Sequence, residues 1–386
     1  MYRPPAETHS PNQPKRTRRR SPKLREASFQ DYEQIALLES RYGLTAAANQ
    51  EEWSHLWLGN PLYQELQPGW SIGWVLEDEQ NRIVGSLGSI PRLYQLGGTR
   101  LVAATSRGWV AEPEFRSASL LLLDRLINHP RADLFVTNTN SAASTGAVTA
   151  LECSRVPVGL WDEYVFWITN YRDYLRRSLA RRNYSWARTL SYPVSAAIVL
   201  RDRLGRKSLQ TAEVEIKACA GFDDRFDEFW SDLQNRSPHL LLAVRTREVL
   251  GWHYKYALRT GRVWIVTAVD RRRIVAYAIY DKKEYPSGLQ QVRLVDFQSL
   301  DHDTALLQPL LSWALRKCRQ EGIHRLVSIG RWLEPGECLE SLAPYRRRLP
   351  AWVYFYRANS PKLAETLRDP SAWAPSLFDG DAGLLR

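Results

Sequence analysis

No apolar run in this sequence approaches ~18 residues, so no membrane-spanning helix is predicted. The N-terminus is basic but has no apolar segment, which is not the pattern of a secretory signal. Cysteine is scarce. Cys153, Cys219, Cys318 and Cys338 show neither C-x-x-C spacing nor clustered histidines, which argues against a zinc or redox motif and predicts buried thiols in a cytoplasmic protein. A G-x-S-x-G elbow is absent, and so are the phosphate-binding P-loop and the dinucleotide fingerprint, which removes the familiar hydrolase, nucleotidase and dehydrogenase signatures. Methionine occurs once against fifteen tryptophans, so rigid aromatic rings must fill much of the core.

The 386 residues leave room for two domains, and a hydrophobic content of 44% is that of a globular protein. The net charge of +11 is uneven. Residues 1–27 carry a net +6 on a proline- and arginine-rich stretch with few apolar side chains, which predicts a disordered tail. Lys15–Arg20 suits contact with nucleic acid or acidic lipid, or serves only to solubilise.

Trp70–Pro130 reads as strand, turn, strand, turn, strand, sharp turn and amphipathic helix. The strands are Trp70–Leu76, Ile83–Leu96 (broken by Pro91) and Leu101–Val110. Gly97-Gly98 is a hairpin signal. Ala111-Glu112-Pro113-Glu114 stops the third strand, and Arg116-Ser117-Ala118-Ser119 opens the helix Leu120–Asn128. A meander feeding a helix N-terminus places backbone N–H groups where an anion can sit.

That order of elements resembles the GNAT acyltransferases (Gcn5-related N-acetyltransferases). Their fourth strand ends in a loop, Arg/Gln-x-x-Gly-x-Gly/Ala, that binds the pyrophosphate of acetyl-CoA. Here the corresponding residues are Glu114-Phe115-Arg116-Ser117-Ala118-Ser119-Leu120, with serine and alanine in place of the glycines. The resemblance implies an α/β (α+β) fold of two GNAT-like units, each a mixed, mostly antiparallel sheet flanked by helices. It also implies acetyl-CoA or another acyl-CoA as cosubstrate, held by Arg116, Ser117, Ala118, Ser119 and Leu120. The backbone of Trp109, Val110 or Ala111 would polarise the thioester carbonyl. Glu112 and Glu114 are the candidate bases and Tyr164 the candidate acid toward the leaving thiolate.

Before the meander, Ser28–Tyr42 reads as a helix capped by Ser28 with Asp31 three residues on. A second helical piece holds Trp53, Leu56 and Trp57. In the family, such helices line the acceptor side. After it, Ala132–Thr139 is a strand ending at Asn138, Asn140 and Ser141. By the resemblance Asn138 and Asn140 contact CoA; Asn140 as a plain N-cap explains that residue equally well. Trp161–Ile168 reads as the last strand of this first unit, residues 28–168.

Tyr171–Lys207 is arginine-rich with helical apolar spacing. It is read as a bridge (169–211) whose band of Arg172, Arg176, Arg177, Arg181, Arg182 and Arg188 either faces solvent or meets an acidic or phosphorylated acceptor. From Ala212 the helix, hairpin, strand, helix, strand order returns, closing with Ala351–Arg357, which predicts a second unit over 212–357. Asp301-His302-Asp303 stands where a phosphate loop would be; it suits an N-cap and would repel a pyrophosphate. Residues 358–386 read as a C-terminal tail. The pieces Leu349–Tyr356 and Trp373–Asp381 are similar to a bacterial subset of tandem GNAT-like proteins related in layout to the Fem-type aminoacyl transferases. Three functions follow: an acyl-CoA N-acyltransferase acting on an amine through the first unit, a Fem-type aminoacyl transferase, or a non-catalytic binding protein.

Overall fold

A computed structural model describes residues 21–180, 214–330, 343 and 345–384. Among them, the strands form one eight-stranded and one seven-stranded mixed sheet, each flanked by helices. Chain order begins with β1 (Lys23–Glu26), α1 (Tyr32–Arg41), α2 (Gln50–Leu58) and α3 (Pro61–Leu66). The meander follows as β2 (Gly73–Glu77), β3 (Ile83–Leu96) and β4 (Thr99–Ala111). Then come α4 (Leu120–Ile127), β5 (Leu134–Thr137), α5 (Ala142–Ala150), β6 (Ser154–Arg155), β7 (Glu163–Ile168) and α6 (Tyr171–Ala180). The later elements are β8 (Glu215–Cys219), α7 (Asp224–Arg236), β9 (Leu242–Ala243), α8 (Arg247–Arg259), β10 (Val263–Asp270), β11 (Arg273–Glu284) and β12 (Gln290–Ser299). The chain closes with α9 (Leu307–Gln320), β13 (Arg325–Ile329), β14 (Tyr345–Arg348), β15 (Phe355–Ala358) and α10 (Pro361–Thr366).

Local chemistry accounts for many boundaries. Asp31 takes the backbone N–H of Ser28 at 2.7 Å, the predicted cap. Gly97 and Gly98 both adopt positive φ, the two-residue turn that matches strand twist. Pro91 does not break β3, because there β3 has β4 on one side only, beyond the β2 pairing and short of β9. Burial pushes the Cys153 and Cys318 thiols up to about 12.

Three expectations change. Lys23–Glu26 belongs to the sheet and not to a disordered tail: it pairs antiparallel with β2, and Arg25 bridges Asp31 and Glu77. Residues 1–20 lie outside the described residues. The strand read as closing the first unit, β7, pairs with β13 and β14 of the second sheet, while β15, read as closing the second, pairs with β5 and β6 of the first. An apolar strand fits either sheet edge, and only the packing of the connecting segments chooses. Finally, the C-terminal residues are packed: Leu367, Leu377, Phe378, Ala382 and Leu384 are all buried. All but Leu384 join one apolar cluster that also holds Tyr94, Trp161, Phe226, Tyr277 and Tyr354, so the two sheets share a core. Of the predicted bridge, only 169–180 lies within the described residues, and Tyr171–Ala180 there is a helix. Among the described residues no helix is long and apolar enough to cross a membrane.

Candidate functional site

β4 and β5 run parallel from Ala103↔Leu134 to Thr105↔Val136 and then part. Just beyond, β4 carries a bulge. Ser86 pairs with Val110 and Gly88 with Arg107, so Leu87 alone faces Gly108 and Trp109. Gly108 has φ +68, which a glycine adopts without strain. A bulge leaves a residue unpaired in the ladder, here beside the gap between the two strands.

The C-terminal segment enters that gap. The Asp381 carboxylate accepts from the hydroxyls of Ser106 at 2.6 Å, Thr139 at 2.7 Å and Thr137 at 3.3 Å, and from the backbone N–H of Asn138 at 2.7 Å. The Asn138 side chain clamps the same segment: its amide donates to Leu377 O at 3.0 Å and its oxygen accepts from Ala382 N at 2.8 Å. Asn140 donates to Val353 O and to Thr137 Oγ1; the cap of the following helix is Ser141, which accepts from Ser144 N. In this structure both asparagines are thus held by the chain's own C-terminal third.

The other predicted residues divide between the sheets. Trp109 donates its indole N–H to Ser119 O at 3.3 Å, tying the bulge to the start of α4, and Val110 and Ala111 continue β4. Arg116 and Ser117 are exposed, and Ala118 is half-buried. The loop is wound into tight turns. Ser119 N–H donates to Phe115 O, Leu120 N–H to Ser117 O and Leu121 N–H to Ala118 O, while Ser119 Oγ donates to Arg116 O. Glu112 pairs with Arg41 at 3.1 Å. At ~3.3 Å per residue, Glu112 sits about 10 Å along from Trp109, and Glu114 lies in the following turn. Both stand at the loop end, away from the bulge. Tyr164 lies on β7 in the second sheet, opposite Ile329 and Arg347, and does not join the others.

Around the bulge, Arg107 pairs with Glu39 of α1 at 2.9 Å and donates to Thr45 O at 3.1 Å, both side chains being buried. Burial raises the Glu39 carboxyl above its usual range, and Arg107 opposes that shift. Thr45 also borders a cavity of about 880 Å³ between the α1–α2 loop, α8, and the β11 and β12 strands. Gly383 also lines it, so the segment that fills the β4/β5 gap reaches this cavity. Arg293 in its wall pairs with Asp281 and donates to Ala382 O at 3.1 Å. Tyr254 lines it with a buried hydroxyl that has no hydrogen-bond partner, and burial holds that phenol well above its ordinary pKa. The lining carries Glu52, Asp281, Glu284 and Glu321 against Arg262, Lys282, Lys283 and Arg293.

The second sheet repeats the device. β12 runs parallel to β13 up to Leu294↔Ser328, and Val295 is then the extra residue opposite β11. Its gap is filled by buried charge: Arg245 pairs with Asp296 at 2.9 Å and with Asp379 at 2.6 Å, and Tyr277 donates to Asp296. Asp303 caps Ala305 N at 2.9 Å, as its N-cap reading requires, and His302 meets Ser237 Oγ at 2.8 Å. Asp381, Glu39 and Tyr254 escaped sequence reasoning. Asp381 had one signal, its place in the Trp373–Asp381 piece, but nothing local ties that piece to Ser106.

No family model and no curated protein matches the chain. Solved structures do. A GCN5-related N-acetyltransferase from Kribbella flavida is 14% identical over 87% of this chain and 70% of that one, with TM-score 0.50. A probable N-acyltransferase from Enterococcus faecalis V583 is 10% identical, with 88% and 72% covered and TM-score 0.50. N-myristoyltransferase from Saccharomyces cerevisiae with bound myristoyl-CoA is 12% identical, with 88% and 83% covered and TM-score 0.51. The likeness is one of fold, and it spans both sheets.

Proposed function

We propose that this protein is an acyl-CoA-dependent N-acyltransferase whose first sheet binds the cosubstrate. The observation that carries this reading is the bulge at Gly108–Trp109, set where β4 and β5 part and beside a large cavity. The shared fold with acyl-CoA-using neighbours supports it. The pantetheine lies beside the bulge at the mouth of the gap, next to the Asp381 segment, and the exposed Arg116 before α4 meets the pyrophosphate. An unpaired N–H at the bulge polarises the thioester carbonyl; one such donor supplies about 3 kcal/mol to the transition state. The amine enters from the cavity. Its nitrogen bonds to the acyl carbon, the C–S bond breaks, and CoA leaves as the thiolate. The amine proton passes to a carboxylate or through water. Asp381 is the carboxylate we assign nearest the gap, fixed there by its four donors, with Glu112 and Glu114 at the pyrophosphate end.

The matching bulges of β4 and β12 support a tandem origin of the two units. The two gaps are occupied differently: Arg245, Asp296 and Asp379 place buried charge pairs in the second, whereas hydroxyls and a backbone N–H receive Asp381 in the first.

Calorimetry on the full chain with acetyl-CoA and with myristoyl-CoA tests the reading. Saturable binding of either supports it, and the preferred ligand indicates the acyl length. Absence of binding of both at millimolar concentration overturns it.

A further inference from the structure

The large cavity beside the β4/β5 gap has a wall built from alternate strand residues. Residues two apart on a strand share a face, and Asp281 and Lys283 of β11 stand directly opposite Arg293 and Gln291 of β12. All four line the cavity. Each is placed by a neighbour. The Asp281 carboxylate accepts from Arg293 Nε at 3.1 Å and also from its Nη2. Arg293 Nη2 donates in addition to Ala382 O at 3.1 Å. The Tyr285 hydroxyl donates to Gln291 Oε1 at 3.4 Å, which leaves the Gln291 amide nitrogen as a donor. The Lys283 ammonium lies 5.6 Å from the centroid of the Tyr285 ring. Among the described residues Arg293 Nη1, Gln291 Nε2 and Lys283 Nζ have no acceptor. The nearby acids do not take them. Asp281 is held by Arg293, Glu284 alternates onto the other side of β11, and Glu52 stands on α2.

We propose that the acceptor amine carries a carboxylate, which Arg293, Gln291 and Lys283 receive. This rests on the acyltransferase reading above and names its second substrate. Guanidinium and amide nitrogens with an ammonium beside them form the donor set of a carboxylate subsite. Distance sets the acceptor's size. Ala382, which Arg293 holds, directly follows Asp381, whose carboxylate lies at the mouth of the gap. With Cα atoms about 3.8 Å apart, the subsite is on the order of 10 Å from the gap, which a dipeptide with its hydrogen bonds spans and a single amino acid does not. The carboxylate only anchors. The dipeptide's α-amine nitrogen bonds to the acyl carbon, the C–S bond breaks, CoA leaves as the thiolate, and the amine proton passes to a carboxylate or through water.

The test uses the full-length protein. Calorimetry with acetyl-CoA and myristoyl-CoA comes first; absence of binding of both removes the acyltransferase reading and this inference with it. The acyl-CoA that binds is then offered with random dipeptides, either with a free C-terminal carboxylate or as the C-terminal amides, and CoA thiol release is followed. The free acids turn over with kcat/KM roughly tenfold or more above the amides. Lys283→Gln, at an exposed position, lowers that preference by up to about fivefold, the scale of an exposed ion pair, with melting temperature and acyl-CoA affinity unchanged. Lys283→Glu and Gln291→Leu lower it further. Lys362→Gln, exposed on α10, leaves it as in wild type. With acyl-CoA bound, equal turnover of acids and amides, or turnover of neither, overturns the carboxylate subsite and leaves the acyltransferase reading standing. So does a preference for the acids that survives in both Lys283→Glu and Gln291→Leu.

Discussion

Asp381 accepts a hydrogen bond from the Ser106 hydroxyl at 2.6 Å, joining residues 275 apart across the mouth of the β4/β5 gap. Three further donors converge on the same carboxylate. Asp381→Ala leaves them buried without an acceptor, so a loss of about 3 kcal/mol or more is expected, since each unsatisfied group costs about 1–3 kcal/mol. Denaturant unfolding measures it. Asp381→Asn keeps one acceptor oxygen and should lose less. A mutant as stable as wild type would show that the C-terminal segment is not anchored there.

Gly108→Ala should be damaging for two reasons. The positive φ costs an alanine about 1–2 kcal/mol, and the new Cβ would lie 2.0 Å from Glu39 Oε1. Displacing Glu39 from Arg107 breaks a buried pair, worth about 3–5 kcal/mol. Gly261 also has positive φ but nothing within 4 Å of the added carbon, so Gly261→Ala pays only the backbone term. Comparing the two melting temperatures isolates the contact at the bulge.

Arg116→Ala should weaken acyl-CoA binding by about 1–3 kcal/mol, the range for a hydrogen bond to a charged group. Arg116 is exposed, so the effect should shrink at high salt. Asp303→Ala, which removes a cap in the second unit, should leave CoA affinity unchanged. Equal losses in both variants would move the cosubstrate away from α4.

His129 stacks on Trp70 at 3.9 Å, and its Nδ1 accepts the Arg131 backbone N–H. Burial, with Arg131 nearby, lowers its pKa to about 4. The unfolded chain therefore takes up a proton near pH 6.5 that the folded state refuses until about pH 4. The resulting stability is fully present above pH ~6.5 and declines as pH falls through that window. In His129→Gln the decline between those limits should be shallower, as thermal melts at a series of pH values would reveal.

Deleting residues 1–26 removes β1 together with the pairs of Arg25 to Asp31 and Glu77. A fall of several degrees in melting temperature is expected. An unchanged melting temperature would make β1 an ornament of the sheet edge.

Sequence alone determined what is local. The Ser28–Asp31 cap, the Gly97-Gly98 turn, the β3–β4 hairpin and the apolar stripe of Leu122, Leu123, Leu126 and Ile127 on α4 each follow from residues a few positions apart. From their order came the fold class and the end of β4 as the place to look for a cosubstrate. Tertiary structure decided what is distant. Glu163–Ile168 and Phe355–Ala358 are apolar strands that satisfy their backbone in any sheet, and their exchange is settled by which edges stand open once both halves pack around Phe226, Tyr277 and Tyr354. The bulge at Gly108 depends on the register of β3, and Asp381 reaches Ser106 because Leu377, Phe378 and Ala382 pack the segment around it into the core. Hydrogen bonds across more than 200 residues leave no periodicity in a sequence, so the carboxylate at the heart of the gap could be seen only in the fold.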